Sequence, residues 1–247
     1  FIEVLSMHCF RTLKLLLVLL LLSSLPGVNA KTASDDVAPL APAAQLNALD
    51  RTIANLLSQH HYRQSKLDDR LSSLILNTYL DDLDANHAYF LASDIAAFEK
   101  YRSTLDDALK IGNLQPAYEI FNVYLQRLGE RSERIQALLG QDFHFDSDET
   151  LNVDRKNAPW AKNAAELDEF WRKRLKHEML TLIVSGKEPA AARELLRKRY
   201  ENRLNQARQT SSEDVFQLYM NAVAQSFDPH TAYFSPRNTE NFNIQMR

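Results

Sequence analysis

Apolar residues recur at helical spacing along most of the chain after position 43, and this pattern indicates a protein built from α-helices. The first stripe falls at i, i+3, i+7, i+10 and i+11 and consists of Leu46, Leu49, Ile53, Leu56 and Leu57. Residues at these spacings lie on one side of a helix, so we expect this side to face the core.

Three further helices follow the same pattern before position 141. One is predicted across residues 67–83, and the next begins at Ser93-Asp94, where a side-chain oxygen can take a free backbone N–H. Gly112 ends that helix, and Pro116 suits the first turn of another, which runs to Gly140. The residues that these patterns direct inward are Leu71, Leu74, Ile75, Leu83, Ile95, Phe98, Leu105, Leu109, Ile120, Phe121, Tyr124, Leu128 and Ile135.

The second half of the chain predicts three more helices after an interruption. The interruption covers residues 141–162, where Phe143 and Trp160 predict an ordered excursion held by aromatic contacts. The helices are predicted over 163–185, 188–209 and 212–227. Asn163 followed by Glu166 resembles a capping box. The last helix directs one face inward, formed by Val215, Leu218, Tyr219, Ala222 and Val223.

Composition agrees with this pattern. The chain has 247 residues, enough for one large domain or two small ones, and only five of them are glycine. Sheet-rich folds need glycine in turns and bulges, so the predicted fold class is all-α, a multi-helix domain. The formal net charge of −3 gives no reason to expect nucleic acid as a partner.

The N-terminal segment predicts export. From Met7 it has a basic start (Arg11, Lys14), an apolar run over 15–22, and small residues before a cleavage point after Ala30. We therefore expect residues 7–30 to be a signal peptide and the protein to be exported. The alternative, an uncleaved membrane anchor, is disfavoured because the run is far shorter than the roughly 20 residues that span a bilayer.

Candidate metal ligands are few. Cys9, the only cysteine, lies in the segment to be removed, which leaves no zinc-cysteine site. Asp82, Asp84 and Asn86 match the first three positions of a calcium loop, but His87 stands where glycine is required, and Ser93 stands where glutamate belongs. A solvated inter-helix turn with a helix cap fits better, and no cofactor is expected.

The histidines lack the His-x-x-x-His spacing of a metal site. We expect His60 and His61 at a helix C-terminus, His177 within a helix, and His87 and His230 in turns with local hydrogen bonds.

The basic runs cover residues 171–177 and 193–204. Phosphate could in principle bind the second run, through Arg197, Lys198, Arg199 and Arg203. Because Glu194 and Glu201 are interleaved with these residues, a solvated helix face with i,i+4 pairs is the better interpretation. No Ser-His-Asp or Ser-Lys arrangement lies in a recognisable nucleophile turn, and no phosphate loop or dinucleotide fingerprint occurs. No catalytic, cofactor-binding or metal-binding residue is nominated.

The sequence of the terminal segment predicts a turn in which the chain leaves the last predicted helix. Asp228-Pro229 stops the preceding helix, and Ser235-Pro236 offers a cap for a short helix over 236–246. Tyr233 and Phe234 are expected to tuck this turn against the helices. A rigid exit turn and a hinge toward a following domain both stay open.

Six short motifs carry a family resemblance. The string DPHTAYFSPRNTENFN (228–243) resembles the junction between the N-terminal helical domain and the PDZ domain of the tail-specific proteases, the carboxy-terminal processing proteases of the bacterial periplasm. The resemblance continues in order through HYRQ (61–64), FLASDI (90–95), APWAKNAAELD (158–168), KRY (198–200) and SEDVF (212–216). Ala232 and Phe234 depart from the usual junction, where Asn and Leu are expected.

The resemblance implies a serine endopeptidase that recognises apolar C-termini through its PDZ domain and cleaves with a serine activated by a lysine. Both catalytic residues lie beyond position 247 in the family pattern, so none is carried over. We expect residues 31–235 to be a helical scaffold that docks substrates and possible adaptor proteins, and 236–247 to begin the junction to the PDZ domain.

Several expectations follow for the chain as a whole. It opens on Phe1 and is expected to be a fragment, inactive alone and without a stable membrane span after signal cleavage. The alternatives are a stand-alone periplasmic helical protein-binding module and a helical metal-binding protein that uses Asp82, Asp84 and Asn86.

Overall fold

The computed structural model describes residues 39–236, 238, 239 and 244, so the predicted signal peptide and most of 236–247 lie outside the described residues. Within the described part the elements are α1 (Ala44–His60), α2 (Asp69–Asp84), α3 (Ala92–Phe98), a 3-10 turn (Glu99–Tyr101), α4 (Leu105–Ile111), α5 (Gln115–Leu139), α6 (Ala164–Val184), α7 (Pro189–Arg208) and α8 (Ser212–Phe227). These residues form no strand, only an isolated bridge between Leu91 and Ala161. The all-α prediction is confirmed.

One predicted helix is divided in two. The segment after Ser93 forms α3, the 3-10 turn and then α4, instead of one continuous helix. The buried Ser72 of α2 explains the new start, because its Oγ accepts the backbone N–H of Asp106 at 2.8 Å and donates to the Asp106 carboxylate at 2.7 Å. The backbone N–H of Asp106, in the first turn of α4, thereby finds a hydrogen-bond acceptor on α2. Gly112 ends α4 with φ of +75°, as predicted.

Among the described residues, the first of two apolar cores lies between α1, α2, α8 and the N-terminal half of α5. Its largest fully buried side chains include Ile75, Leu76, Tyr79, Tyr118, Phe216 and Tyr219. Buried hydroxyl groups find backbone partners here, as Tyr79 donates to the carbonyl of Ala117 at 3.2 Å and Tyr118 to that of Ser212 at 2.6 Å. This core therefore fixes α8, from which the terminal segment leaves.

The second core lies between α6, α7 and the C-terminal half of α5. Its fully buried members include Leu139, Trp171, Leu175, Met179 and Leu196. The indole N–H of Trp171 donates to the carbonyl of Ala88 at 2.7 Å, which ties α6 to the turn after α2. The 25-residue α5 contributes to both cores and joins them.

Three leucines predicted to face inward are exposed. Leu56 is 59 % exposed, Leu74 44 % and Leu218 36 %. Helix α1 instead buries Leu46, Asp50, Ala54 and Leu57. The buried face of α1 is therefore the one that contains Ala54. Because alanine is small, neighbouring helices can approach α1 closely at this position. The other leucines, isoleucines and valines of the predicted faces of α1, α2 and α8 are buried or packed against the core.

The excursion over residues 141–162 is held by an aromatic stack, as predicted. The ring of Trp160 lies 3.5 Å from that of His87, centroid to centroid. His87 has φ of +47° and bonds the carbonyl of Ala158 through Nδ1. The backbone N–H of His87 donates locally to the carbonyl of Asp84 at 2.9 Å, as predicted, whereas its ring contacts the distant segment that carries Ala158 and Trp160. Among the described helices, none has the length and apolar character that crossing a bilayer requires.

Candidate functional site

Two motifs from opposite ends of the helical region meet at the end of α8. The Tyr62 hydroxyl donates to Oδ2 of Asp228 at 2.5 Å, and Nη2 of Arg63 pairs with the same oxygen at 3.1 Å. Asp228 is only 3 % exposed. Residues His61, Tyr62, Arg63, Asp228 and Thr231 together form what we call the junction anchor.

The electrostatics of the junction anchor favour a charged Asp228. The Tyr62 hydroxyl, the backbone N–H of His230 and the Arg63 guanidinium lower the pKa of the Asp228 carboxyl. The His230 N–H donates to Oδ1 at 2.9 Å, and the Asp228 carbonyl accepts the N–H of Thr231 at 3.0 Å. One carboxylate therefore fixes both the turn that follows α8 and the segment that follows α1.

His61 and Thr231 lie at the distance of a catalytic pair but are not arranged as one. Nδ1 of His61 accepts the backbone N–H of Arg63 at 3.2 Å. Nε2 of a neutral ring then carries the hydrogen and donates to Oγ1 of Thr231, 3.0 Å away. A ring that donates to the hydroxyl cannot take its proton, so this contact is structural.

Beyond Thr231 the exit segment is bonded along α8. The backbone N–H of Tyr233 donates to Oδ1 of Asn221 at 2.8 Å, and that of Ser235 donates to Oε1 of Gln217 at 2.9 Å. The side chain of Asn238 donates to the same Gln217 oxygen at 2.7 Å. Because Asn221 and Gln217 stand one helical turn apart, these bonds favour a rigid exit turn over a hinge as far as Asn238.

The two aromatic residues of the exit turn differ. Tyr233 packs edge-on against Phe216 with ring centroids 5.4 Å apart, as predicted. Phe234 is 52 % exposed, so it is covered less than the prediction that it tucks against the helices requires. Alternate residues of an extended segment point to opposite sides, which explains the difference.

In the acidic turn after α2, the carboxylate of Asp84 stabilises the backbone. Asp84 is buried, and its Oδ1 accepts the backbone N–H of Ala88 at 2.8 Å, while Oδ2 accepts those of Tyr89 at 2.8 Å and Phe90 at 3.0 Å. These bonds use the oxygens that a calcium loop would need, whereas Asp82 and Asn86 are exposed. The metal-binding alternative therefore loses its central ligand.

A serine–lysine contact occurs at the surface. Lys176 donates through Nζ to Oγ of Ser147 at 2.6 Å and pairs with Glu149 at 3.4 Å. The same Nζ group is shared between the Ser147 hydroxyl and the Glu149 carboxylate, and Ser147 lies in no recognisable nucleophile turn. This contact is an ion-pair network, in which Arg172 also lies 3.0 Å from Glu149.

A cleft between α6 and α7 was missed by sequence reasoning. It encloses about 490 Å³, and its charged residues are Arg174, Glu178, Arg199 and Arg203. We call it the basic cleft. The predicted solvated face is confirmed for Lys198, which pairs with Glu194 at 3.4 Å. Arg203 is exposed as well, as predicted, and in addition its guanidinium carbon lies 5.1 Å from the ring centre of Tyr89, a residue of the distant α2–α3 turn.

Comparison with known proteins identifies a family that this chain resembles over most of its described length. The family described as tail specific protease N-terminal domain matches residues 53–237, a span that includes both halves of the junction anchor. The chain is 36 % identical over 188 residues to the tail-specific protease of Haemophilus influenzae. That alignment covers 76 % of this chain and 27 % of the relative, so the chain spans little more than a quarter of the relative's length.

Proposed function

Because this chain belongs to the tail-specific protease N-terminal domain family, we propose that it is the helical scaffold of a periplasmic tail-specific serine endopeptidase and docks the proteins which that enzyme cleaves. The catalytic serine and lysine belong, in this proposal, to the part of the protease that the relative has beyond the aligned segment. The periplasmic location is supported by the signal-peptide pattern of residues 7–30.

The observation that carries the proposal is the fixed exit of the chain from α8. Asp228 joins the exit to the segment after α1, and Asn221 and Gln217 hold the backbone of the next residues. A following domain attached to such an exit is held in a defined orientation. That is what a scaffold needs if it is to present a bound substrate to a separate catalytic region.

A chimera tests the scaffold role. The aligned segment of the Haemophilus influenzae tail-specific protease is replaced by residues 39–239 of this chain, and cleavage of a substrate protein with an apolar C-terminus is followed. We expect the chimera to cleave and a deletion of the segment to be inactive, while the 247-residue chain alone does not cleave. A folded but inactive chimera would contradict the scaffold role. Turnover by the chain alone would contradict the placement of catalysis elsewhere.

A further inference from the structure

The basic cleft carries an excess of positive charge. Three arginines, Arg174, Arg199 and Arg203, line it together with one acid, Glu178. The chain as a whole has a formal charge of −3, so this positive surface is local and not a consequence of composition. A concave surface of one sign attracts groups of the opposite sign more strongly than a flat one does.

Glu178 does not neutralise the three arginines. Its two oxygens accept the Tyr200 hydroxyl at 2.8 and 2.9 Å. It also accepts one bond from Nε of Arg174 at 3.1 Å and one long bond from Nη1 of Arg199 at 3.5 Å. Each guanidinium has five N–H donors, so most donors of both arginines remain for a ligand.

Aromatic rings hold two of the guanidinium groups in place. The guanidinium carbon of Arg174 lies 4.7 Å from the ring centre of Trp171, and that of Arg203 lies 5.1 Å from the ring centre of Tyr89. Both rings are buried. A guanidinium held over a ring keeps N–H groups at its edge for contact with a carboxylate, although the Tyr124 hydroxyl accepts one hydrogen bond from Arg203.

A second cleft on the same helix provides an internal comparison. It encloses about 450 Å³ at the other end of α7, and its charged residues are Asp142, Arg193, Glu194 and Arg197. Two acids balance two arginines there, and Arg193 pairs with Asp142 at 3.2 Å. The excess of unneutralised arginines is thus a property of the basic cleft and not of α7 as a whole.

We propose that the basic cleft binds carboxylate groups of protein partners, supplied by acidic side chains or by a C-terminus. The choice of a protein as the partner rests on the proposed function, whereas the choice of a carboxylate rests on the geometry of the arginines. The site lies on the helices of the second core.

Fluorescence anisotropy with short labelled peptides tests the site on the unmodified 247-residue chain at low salt. One peptide carries glutamates and an amidated C-terminus, a second carries glutamines and a free C-terminal carboxylate, and a third carries glutamines and an amide. We expect saturable binding of one or both carboxylate peptides, weakened by added salt, and none of the third. The peptide that binds identifies the source of the carboxylate.

Variants locate the binding. We expect Arg203→Gln and Arg174→Gln each to weaken binding about tenfold, since each removes a charge-assisted contact. Arg197→Gln, in the second cleft, is the matched control and should bind as the unmodified chain does. Circular dichroism checks the helical fold of each variant. If a variant does not fold, the three peptides still decide the matter on the unmodified chain.

Three results would overturn the site: no saturation by either carboxylate peptide, an equal loss in Arg197→Gln, or tighter binding of a single-stranded RNA oligonucleotide than of both peptides. Failure here is separable from failure of the scaffold role. Peptide binding together with an inactive chimera would contradict only the scaffold role. An active chimera without peptide binding would contradict only the proposal that the basic cleft binds carboxylates.

Discussion

The hydroxyl of Tyr62 donates a hydrogen bond of 2.5 Å to the carboxylate of Asp228, 166 positions further along the chain. This bond joins the segment that leaves α1 to the segment that leaves α8. Arg63 reinforces it by pairing with the same oxygen at 3.1 Å. The direction in which the chain leaves α8 therefore depends on residues that follow α1. A substitution at Tyr62 should change the stability of the segment that follows α8.

The first prediction concerns this bond. Tyr62→Phe removes the hydroxyl and should speed hydrogen exchange of the Thr231, Tyr233 and Ser235 amides, because the turn that carries them loses a tether. Tyr101→Phe is the control, since it removes a similar bond of 2.5 Å to Glu119 far from the exit in sequence. Amide exchange followed by mass spectrometry or NMR measures both variants. Equal acceleration of the exit amides in the two would show that Tyr62 has no local effect.

The second prediction concerns the buried carboxylate of Asp84. Asp84→Ala leaves three buried backbone N–H groups without their acceptor and should lower the free energy of unfolding by about 3 kcal/mol. Asp82→Ala, two residues away and exposed, should change it by no more than about 0.5 kcal/mol. Urea denaturation measures the two values. Similar values for the two variants would contradict the structural role of Asp84.

The third prediction concerns two glycines at which substitution by alanine should change the free energy of unfolding in opposite directions. Gly112 has φ of +75°, and a Cβ there would lie 2.3 Å from the carbonyl oxygen of Asn47. Gly112→Ala should therefore destabilise the fold by more than about 1 kcal/mol. Gly129 lies within α5 with nothing within 4 Å of an added Cβ. Gly129→Ala should stabilise by about 0.5–1 kcal/mol, because alanine favours a helix.

Thermal denaturation of both glycine variants provides the measurement. A destabilised Gly129→Ala would indicate that the exposed side of α5 is covered in solution. An unaffected Gly112→Ala would mean that the end of α4 can shift away from α1.

Local signals were enough to predict where most helices begin and end. Gly112, Pro116 and Asn163 act on their own neighbourhoods, through positive φ, a fixed φ and a side-chain cap. The structure places all three as expected, except that the Glu166 carboxylate accepts the backbone N–H of Lys162 and not that of Asn163, so the predicted capping box is half formed. Such rules need no knowledge of the rest of the fold, so they can be applied to sequence alone.

The buried face of each helix and the residues of the candidate sites depend on contacts between segments that are distant in sequence. The apolar spacing of α1 fits two adjacent stripes, and only its packing against α4 and α8 shows that Asp50 is inside and Leu56 outside. The family motifs identified HYRQ and DPHT separately, but no spacing rule brings Tyr62 to Asp228. Arg203 belongs to an exposed basic run, as predicted, but no local rule indicates that its guanidinium lies over the ring of Tyr89.

The last prediction concerns Asp50, which is fully buried in the face of α1. Neither carboxylate oxygen has a hydrogen-bond partner among the described residues. Burial raises the pKa of Asp50 to about 7, against a weaker opposing effect of Arg51. In the unfolded chain the same group titrates near 3.8. Between these two values the folded state binds more protons, so the contribution of Asp50 to the free energy of unfolding falls as pH rises.

Asp50→Asn keeps the volume and removes the titration. Its free energy of unfolding should resemble that of the unmodified chain at about pH 4 and exceed it at about pH 8, by up to about 4 kcal/mol. Asp146→Asn, an exposed control, should show no such divergence. Denaturant titrations across the pH range measure the difference between each variant and the unmodified chain, which cancels the contributions of other groups. A constant difference for Asp50→Asn would mean that the Asp50 carboxyl reaches water in the folded protein.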